Sequence, residues 1–521
     1  MCPGHTHDGC RGCGLAMTRR DLLRGAGAAT AAAAGLISAA PAGEKARARR
    51  VRVAAVFLSN TRIREIWPHP GFDAGARQKE ILALLRKGCG EIEFVPVTVE
   101  GDRQTERALA LRDKVDGFAV FVLTLDWSQR NSILRIAKLG KPTVLVDDYL
   151  GGSGVFLTGY SALCDQKVPV AAVSTTRPDD LVAVIGRFAS ARDPGVTAAS
   201  FARQCWKLYR GTFPPVGRGP CRDDDVCLTD TAECVKRFRS SRFLIVGRGR
   251  AGQVQDYLGA KGVSMDFAEL KALYEKVDPA AAAEWARRWS KRAERVVEPK
   301  ADAVRNAAAV YLATLELLEK HKADTVTMNC LGGFASGKLP AYPCLGFMQI
   351  LDDGGQGVCE AMPDDSLSML MARILTGRPG YVSDPALDTS KNQICYAHCV
   401  ATTKVFGPKG PSNTFRIRTL HNRDPRGACA QSFLPEGYMT TSFRTNHRRK
   451  QMVIHQARSV GHVDNERGCR TRMVAEVRGD IGKLFDQWGR FGWHRVTVYG
   501  DVKAPLTEFA KALGLSVIEE A

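Results

Sequence analysis

Within 359-CEAMPDDSLSMLMARILTGRPGYVSD-384, two acidic residues each close a short apolar run. Glu360 follows residues 357–359, and Asp384 comes just after Tyr381 and Val382. Two carboxylates brought together can hold a divalent cation or divide acid and base work between them. The segment between them has Leu367, Leu370, Met371, Ile374 and Leu375 at i, i+3, i+4, i+7 and i+8, the stripe of an amphipathic helix. Asp364 or Asp365 can cap its start, and Gly377 and Pro379 stop it. If the flanking runs are neighbouring parallel strands, both acids stand at the carboxyl edge of one sheet, where α/β proteins bind ligands. A plainer reading, in which each acid caps a loop, fits the pattern as well.

The elements around these residues alternate. Strand patterns cover 51–58, 91–99, 116–123 and 142–148, with helix patterns at 74–87 and 131–139. Such alternation implies a parallel sheet covered by helices. The segment 194–219, with Gly and Pro at its ends, reads as a boundary. A second α/β region opens with FLIVGRGRAG (243–252), runs through helices at 267–276, 279–296 and 301–321, and reaches a strand at 324–330. After Asp384 the helical pattern fades until 504–514. ICYAHCVAT, TFRIRTL, MVAEVRG and HRVTVYGD read as strands of a β-rich region.

Gly247-x-Gly249-x-x-Gly252 has the spacing of a dinucleotide fingerprint, whose backbone N–H groups cradle a pyrophosphate. It lies mid-chain, and the acid expected for the ribose is Asp266, at the start of a helix pattern. A plain tight turn accounts for it better. His398, in ICYAHC, receives no role from its surroundings.

Composition sets the class. A chain of 521 residues, 45% hydrophobic and 25% charged, is globular and long enough for several domains; disordered, collagen-like and coiled-coil classes are excluded. The net charge of +19 is scattered, apart from KARARRVR (45–52) and Arg448, Arg449 and Lys450. No aromatic stripe is interleaved with it, so the pattern is a solvated basic surface and not a groove for nucleic acid. Arg19 and Arg20, then an Ala/Gly-rich apolar run ending in Ala40-Pro41-Ala42, read as a twin-arginine signal peptide over 1–42. The run is too short to span a bilayer convincingly, so a periplasmic or extracellular protein is expected, with no membrane span after leader removal. Cys2, His5, His7, Cys10 and Cys13 form a small metal-knuckle pattern within that leader. The other thirteen of the sixteen cysteines read mostly as buried small hydrophobes, with Cys221 and Cys227, or Cys395 and Cys399, as pairs that can join after export.

Glu360, a helix ending in Leu375-Thr376-Gly377, and Asp384 resemble the L-fucose isomerase family. Pro343-Cys344-Leu345-Gly346, Cys359-Glu360-Ala361, His398-Cys399 and 493-WHRVTVYGD-501 extend the resemblance, which is strong over 325–501 and only architectural over 51–320. It implies two Rossmann-like α/β domains, at 51–215 and 216–378, followed by a β-rich C-terminal domain at 379–521. It also implies Mn²⁺ or a similar divalent cation on Glu360, Asp384 and His494, with Glu360 and Asp384 catalytic. The implied activity is metal-dependent aldose–ketose isomerisation of a small-molecule sugar through an ene-diolate, in a homo-oligomer. The family usually carries a second acid two residues after the Glu; here that residue is Met362, with Asp364 and Asp365 just beyond. This departure keeps open an exported, non-catalytic sugar-binding protein on the same scaffold. The glycine loop keeps open a nucleotide-dependent oxidoreductase.

Overall fold

The computed structural model describes residues 50–61 and 67–521. The leader expected from sequence, with its paired arginines and Cys/His pattern, lies outside them. The run VRVAAVFL, apolar apart from Arg52, forms β1 (Val51–Leu58), as expected of a parallel strand buried on both faces. It is joined by β2 (Ile92–Val99), β3 (Gly117–Val122), β4 (Thr143–Asp147) and β5 (Ala171–Val173), in the order β2-β1-β3-β4-β5, all parallel. Val53, Ala55 and Phe57 enter one core; Ala54, Val56 and Leu58 enter another.

The next sheet contains β6 (Arg242–Val246), β7 (Val254–Tyr257), β8 (Ala260–Met265), β10 (Thr325–Met328) and β11 (Gln356–Cys359), ordered β11-β10-β6-β8-β7. All its pairings are parallel except the hairpin of β7 with β8. The short β9 (Arg295–Val296) falls between β8 and β10 in the chain and lies outside this sheet.

The C-terminal region is β-rich. Its large sheet has β12 (Tyr381–Asp388), β13 (Gln393–His398), β16 (Met439–Asn446), β17 (Gln451–His462), β18 (Thr471–Val477), β19 (Arg495–Tyr499) and β20 (Ser516–Glu519). Antiparallel pairing runs β16-β19-β12-β13-β18-β17 and returns from β17 to β16, closing a six-stranded ring. A register shift between Ser459 and Gly461 kinks β17, which pairs with β16 along its first part and with β18 along its last. A small third sheet joins β14 (Phe415–Arg418) to β15 (Cys429–Ser432) and to β9. The barrel buries residues on both sides. Tyr381, Ile394 and Met473 share a core with Val56 and Leu145 of the first sheet, while Ala386, Phe443 and Val496 share one with Leu244 and Val326 of the second.

Two expectations are corrected here. The runs ending near Glu360 and Asp384 are not parallel neighbours: β11 is an edge of the second sheet and β12 a strand of the barrel. Gly377, at φ 67, ends the helix Pro363–Thr376 in the left-handed conformation. Arg378 then anchors the exit, its buried guanidinium donating to Asp224 and to the Tyr499 carbonyl, and the chain crosses to the barrel. Asp384 therefore sits inside a strand and not at a sheet edge. The boundary expected at 194–219 contains the helix Ala198–Arg210, capped by Thr197, and the irregular stretch follows it. The thirteen cysteines among the described residues are free thiols. Cys395 meets Tyr149 and Cys399 meets His421, so these two face different partners. Cys221 lies against Arg478, and Cys227 is exposed. Among the described residues no helix is long and apolar enough to cross a membrane.

Candidate metal centre

Antiparallel register assembles most of the site. In β12, Asp384 lies opposite Ala397, and Ser383 lies opposite Arg495. One further step places Asp384 opposite His494, and side chains directly opposite in such a pair share a face. His494 Nε2 is 3.0 Å from Asp384 Oδ1. His398 ends β13, and its ring meets that of His494 edge-on with centroids 5.3 Å apart.

Glu360 arrives from the second sheet. It and Ala361 are both left-handed, at φ 67 and 50, a conformation that costs a non-glycine residue about 1–3 kcal/mol. Three contacts hold the turn. Ala361 N–H donates to the Met328 carbonyl at 3.0 Å, Met362 N–H to Thr327 Oγ1 at 3.0 Å, and Arg248 Nη1 to the Ala361 carbonyl at 3.0 Å. The Glu360 carboxylate is thereby carried to the barrel, with Oε1 3.9 Å from His398 Nε2 and Oε2 3.7 Å from His494 Nε2. The three residues expected from sequence, Glu360, Asp384 and His494, are brought together, and His398 joins them.

Glu360, His398 and His494 each offer a donor atom within 4.8 Å of the others. Both ring nitrogens of His398 and Nε2 of His494 are buried without a hydrogen-bond partner. The approach of His494 Nε2 to Asp384 is close but not aligned as a hydrogen bond. Each unpartnered nitrogen of His398 costs about 1–3 kcal/mol, whereas His494 Nε2 has the Asp384 carboxylate beside it. A cation among these four side chains relieves that cost, and a set of carboxylates and imidazoles suits Mn²⁺ or a similar ion. The residues fit the metal.

Asp365, in the first turn of the helix Pro363–Thr376, does not cap that helix but partners His494. Its Oδ2 is 2.6 Å from His494 Nδ1, and its Oδ1 accepts from Arg444 Nε at 2.9 Å. Burial favours the neutral acid, but the charges of Arg444 and His494 overcome it and hold Asp365 well below the usual carboxylate range. For His494, burial opposes the charge. Asp365, Asp384 and Glu360 outweigh it and hold the imidazolium well above its ordinary range. Such an outer carboxylate fixes the ring's orientation and leaves Nε2 for the centre. Met362 itself contributes its N–H to the turn and its sulfur to a contact with Arg248.

A cavity of about 450 Å³ opens over Glu360 and Asp384, walled by Trp67, Trp127 and Trp493. Trp127 and Trp493 meet edge-on with centroids 5.7 Å apart. A larger cavity, about 640 Å³, lies beside Gly247, Gly249 and Asp266. There the glycine loop leads into strand β7 and not into a helix, and the start of the helix Phe267–Tyr274 borders the cavity. The Asp266 carboxylate caps the helix Phe267–Tyr274, accepting from the Ala268 and Glu269 N–H groups. Size favours the larger cavity, but Glu360 and Asp384, which meet the buried imidazoles, line the smaller one.

Comparison with protein-family models and with curated proteins brings up no match for this chain.

Proposed function

We propose that the protein is a metal-dependent aldose–ketose isomerase acting on a small sugar, exported by a twin-arginine leader and assembled as a homo-oligomer. Its frame in this reading is two Rossmann-like α/β domains, at 51–215 and 216–378, and a β-rich domain at 379–521. One observation carries the chemistry: Glu360 crosses from the second sheet to meet Asp384 and His494 of the barrel, leaving buried imidazole nitrogens aimed at a common point.

Aldose-to-ketose conversion removes hydrogen from C2 and O2 and adds it at C1 and O1. Glu360, Asp384, His494 and His398 would hold a divalent cation, which would supply positive charge to stabilise an ene-diolate. Glu360 is 35% exposed and accepts no hydrogen bond among the described residues, so its carboxylate is free to take the C2 proton. Asp384, 9% exposed, faces the same cavity and is placed to return a proton at C1. Positioned acid–base groups contribute about 10²–10⁴-fold. The tryptophan walls offer flat apolar surfaces to the C–H faces of a sugar. Asp365 keeps His494 oriented throughout.

The test is deuterium entry at C2 of a panel of aldoses in D₂O, followed by NMR, with Mn²⁺-loaded protein starting at Gly43. Exchange that disappears in Glu360→Gln supports isomerisation and names the sugar. Bound metal and bound sugar without exchange sink it and leave a sugar-binding protein.

A further inference from the structure

A second set of donors is buried beside the first. Cys399 directly follows β13, His421 lies in the loop after β14, and Cys469 comes just before β18. His421 Nδ1 is 3.6 Å from Cys399 Sγ and 3.5 Å from Cys469 Sγ. All three donor atoms lie within 4.8 Å of one another, and all three residues are buried. One thiol–imidazole hydrogen bond explains one such contact. Here two sulfurs converge on a single nitrogen.

The separations have a meaning in coordination chemistry. With zinc–sulfur bonds of about 2.3 Å and zinc–nitrogen bonds of about 2.0–2.1 Å, a tetrahedral angle places sulfur and nitrogen about 3.5 Å apart. Both observed distances match that edge. Cys429 also touches Cys399, but its thiol donates to the Thr419 carbonyl at 3.4 Å and it falls outside the converging set. His421 and Cys469 line the cavity that Glu360 and Asp384 also line. Three protein donors with a fourth position turned to a cavity is the pattern of open zinc sites. The two donor sets differ in kind: carboxylate and imidazole select Mn²⁺-like ions, whereas thiolates select thiophilic ones.

We propose that Cys399, His421 and Cys469 form a second metal site, for zinc or a comparably thiophilic divalent cation, with its open position on the cavity shared with Glu360. This goes beyond the isomerase reading and does not depend on it. With 22 and 48 residues separating His421 from the two cysteines, no Cys-x-x-Cys signature announces it.

Cobalt tests it, as a coloured substitute for zinc, on the reduced, chelator-treated full chain. A single equivalent of Co²⁺ gives thiolate-to-cobalt charge-transfer absorption and strong tetrahedral bands. Zn²⁺ abolishes them and Mn²⁺ leaves them in place. Cys469→Ser and His421→Ala lose them, and Glu360→Gln keeps them. Should those variants fail to fold, alkylation of the wild-type chain decides instead, since Zn²⁺ protects Cys399 and Cys469 from reaction. Cobalt binding without a thiolate band, absence of zinc protection, or a Cys399–Cys469 disulfide in the purified protein each overturns the assignment.

Discussion

His494 and Asp365 stand 129 residues apart in the chain and are joined by a 2.6 Å hydrogen bond with both side chains buried. Asp365 is also tied to Arg444. One residue of the helix Pro363–Thr376 thus decides where the other nitrogen of a barrel histidine points. That nitrogen faces Glu360 and Asp384.

Asp365→Asn should weaken Mn²⁺ binding by about 10–100-fold, the usual cost of losing a carboxylate behind a ligating histidine. It also leaves Arg444 buried without its counter-charge, at about 3–5 kcal/mol of stability. Mn²⁺ titration by electron paramagnetic resonance reads the first effect, and urea unfolding the second. Unchanged Mn²⁺ affinity in the folded variant removes Asp365 from the site.

His398→Ala separates a ligand from a bystander. If His398 Nε2 binds the cation beside Glu360, Mn²⁺ affinity falls by more than about 100-fold, beyond what an orienting residue costs. A loss of less than tenfold by the same titration leaves Glu360, Asp384 and His494 as the full set.

Within the barrel, Glu520 accepts from Arg495 at 2.7 and 2.8 Å and lies 2.9 Å from His455, with no exposure at any of the three. Burial pushes its carboxyl up, but Arg495 and His455 overcome this and hold it at about 2, against an ordinary 4.5. Linkage converts that difference to on the order of 3 kcal/mol. Because the folded value is depressed, this stability is fully present above about pH 4.5 and is lost as the pH falls toward 2. Glu520→Gln should therefore lower the urea midpoint markedly at pH 7, with the gap to wild type narrowing below pH 4. A gap that is constant with pH refutes the linkage.

The glycine loop makes a structural prediction. Gly247 is at φ 79, and a Cβ there would meet the Phe267 ring at 2.3 Å. Gly247→Ala should cost about 1–3 kcal/mol from backbone strain, with more from the clash, and leave Mn²⁺ affinity unchanged. Loss of a bound dinucleotide in that variant, shown by its fluorescence, restores the cofactor reading.

How legible each part was in the sequence follows from its physics. β1, β3 and β4 could be read because each is largely apolar, as strands buried on both faces must be. β16 could not: Thr440, Thr441, Ser442 and Thr445 are buried, yet they satisfy themselves with hydroxyl bonds such as Ser442 to Thr497 at 2.7 Å. A strand buried in this way shows no apolar alternation. Glu360, Asp384 and His494 were reached through resemblance, but not the route by which they meet, because β12 pairs with a strand more than a hundred residues away. Asp365 lay in plain view three residues past Met362 and was read as a cap, since nothing local distinguishes a capping carboxylate from one that reaches a distant histidine. Cys399, His421 and Cys469 left no local signature at all.

The origin of Glu360 in one sheet and of its companions in another has a mechanical consequence. A cation bound there would act as a rivet across the seam between the second sheet and the barrel, and its occupancy would be felt wherever that seam must open. At a hundredfold excess over its dissociation constant, such a rivet adds about 2.7 kcal/mol to unfolding. Chelation should then speed amide exchange at Ala361 and Met362, whose N–H groups hold the strained turn to β10. The backbone of the second sheet would thereby report on a metal held largely by the barrel.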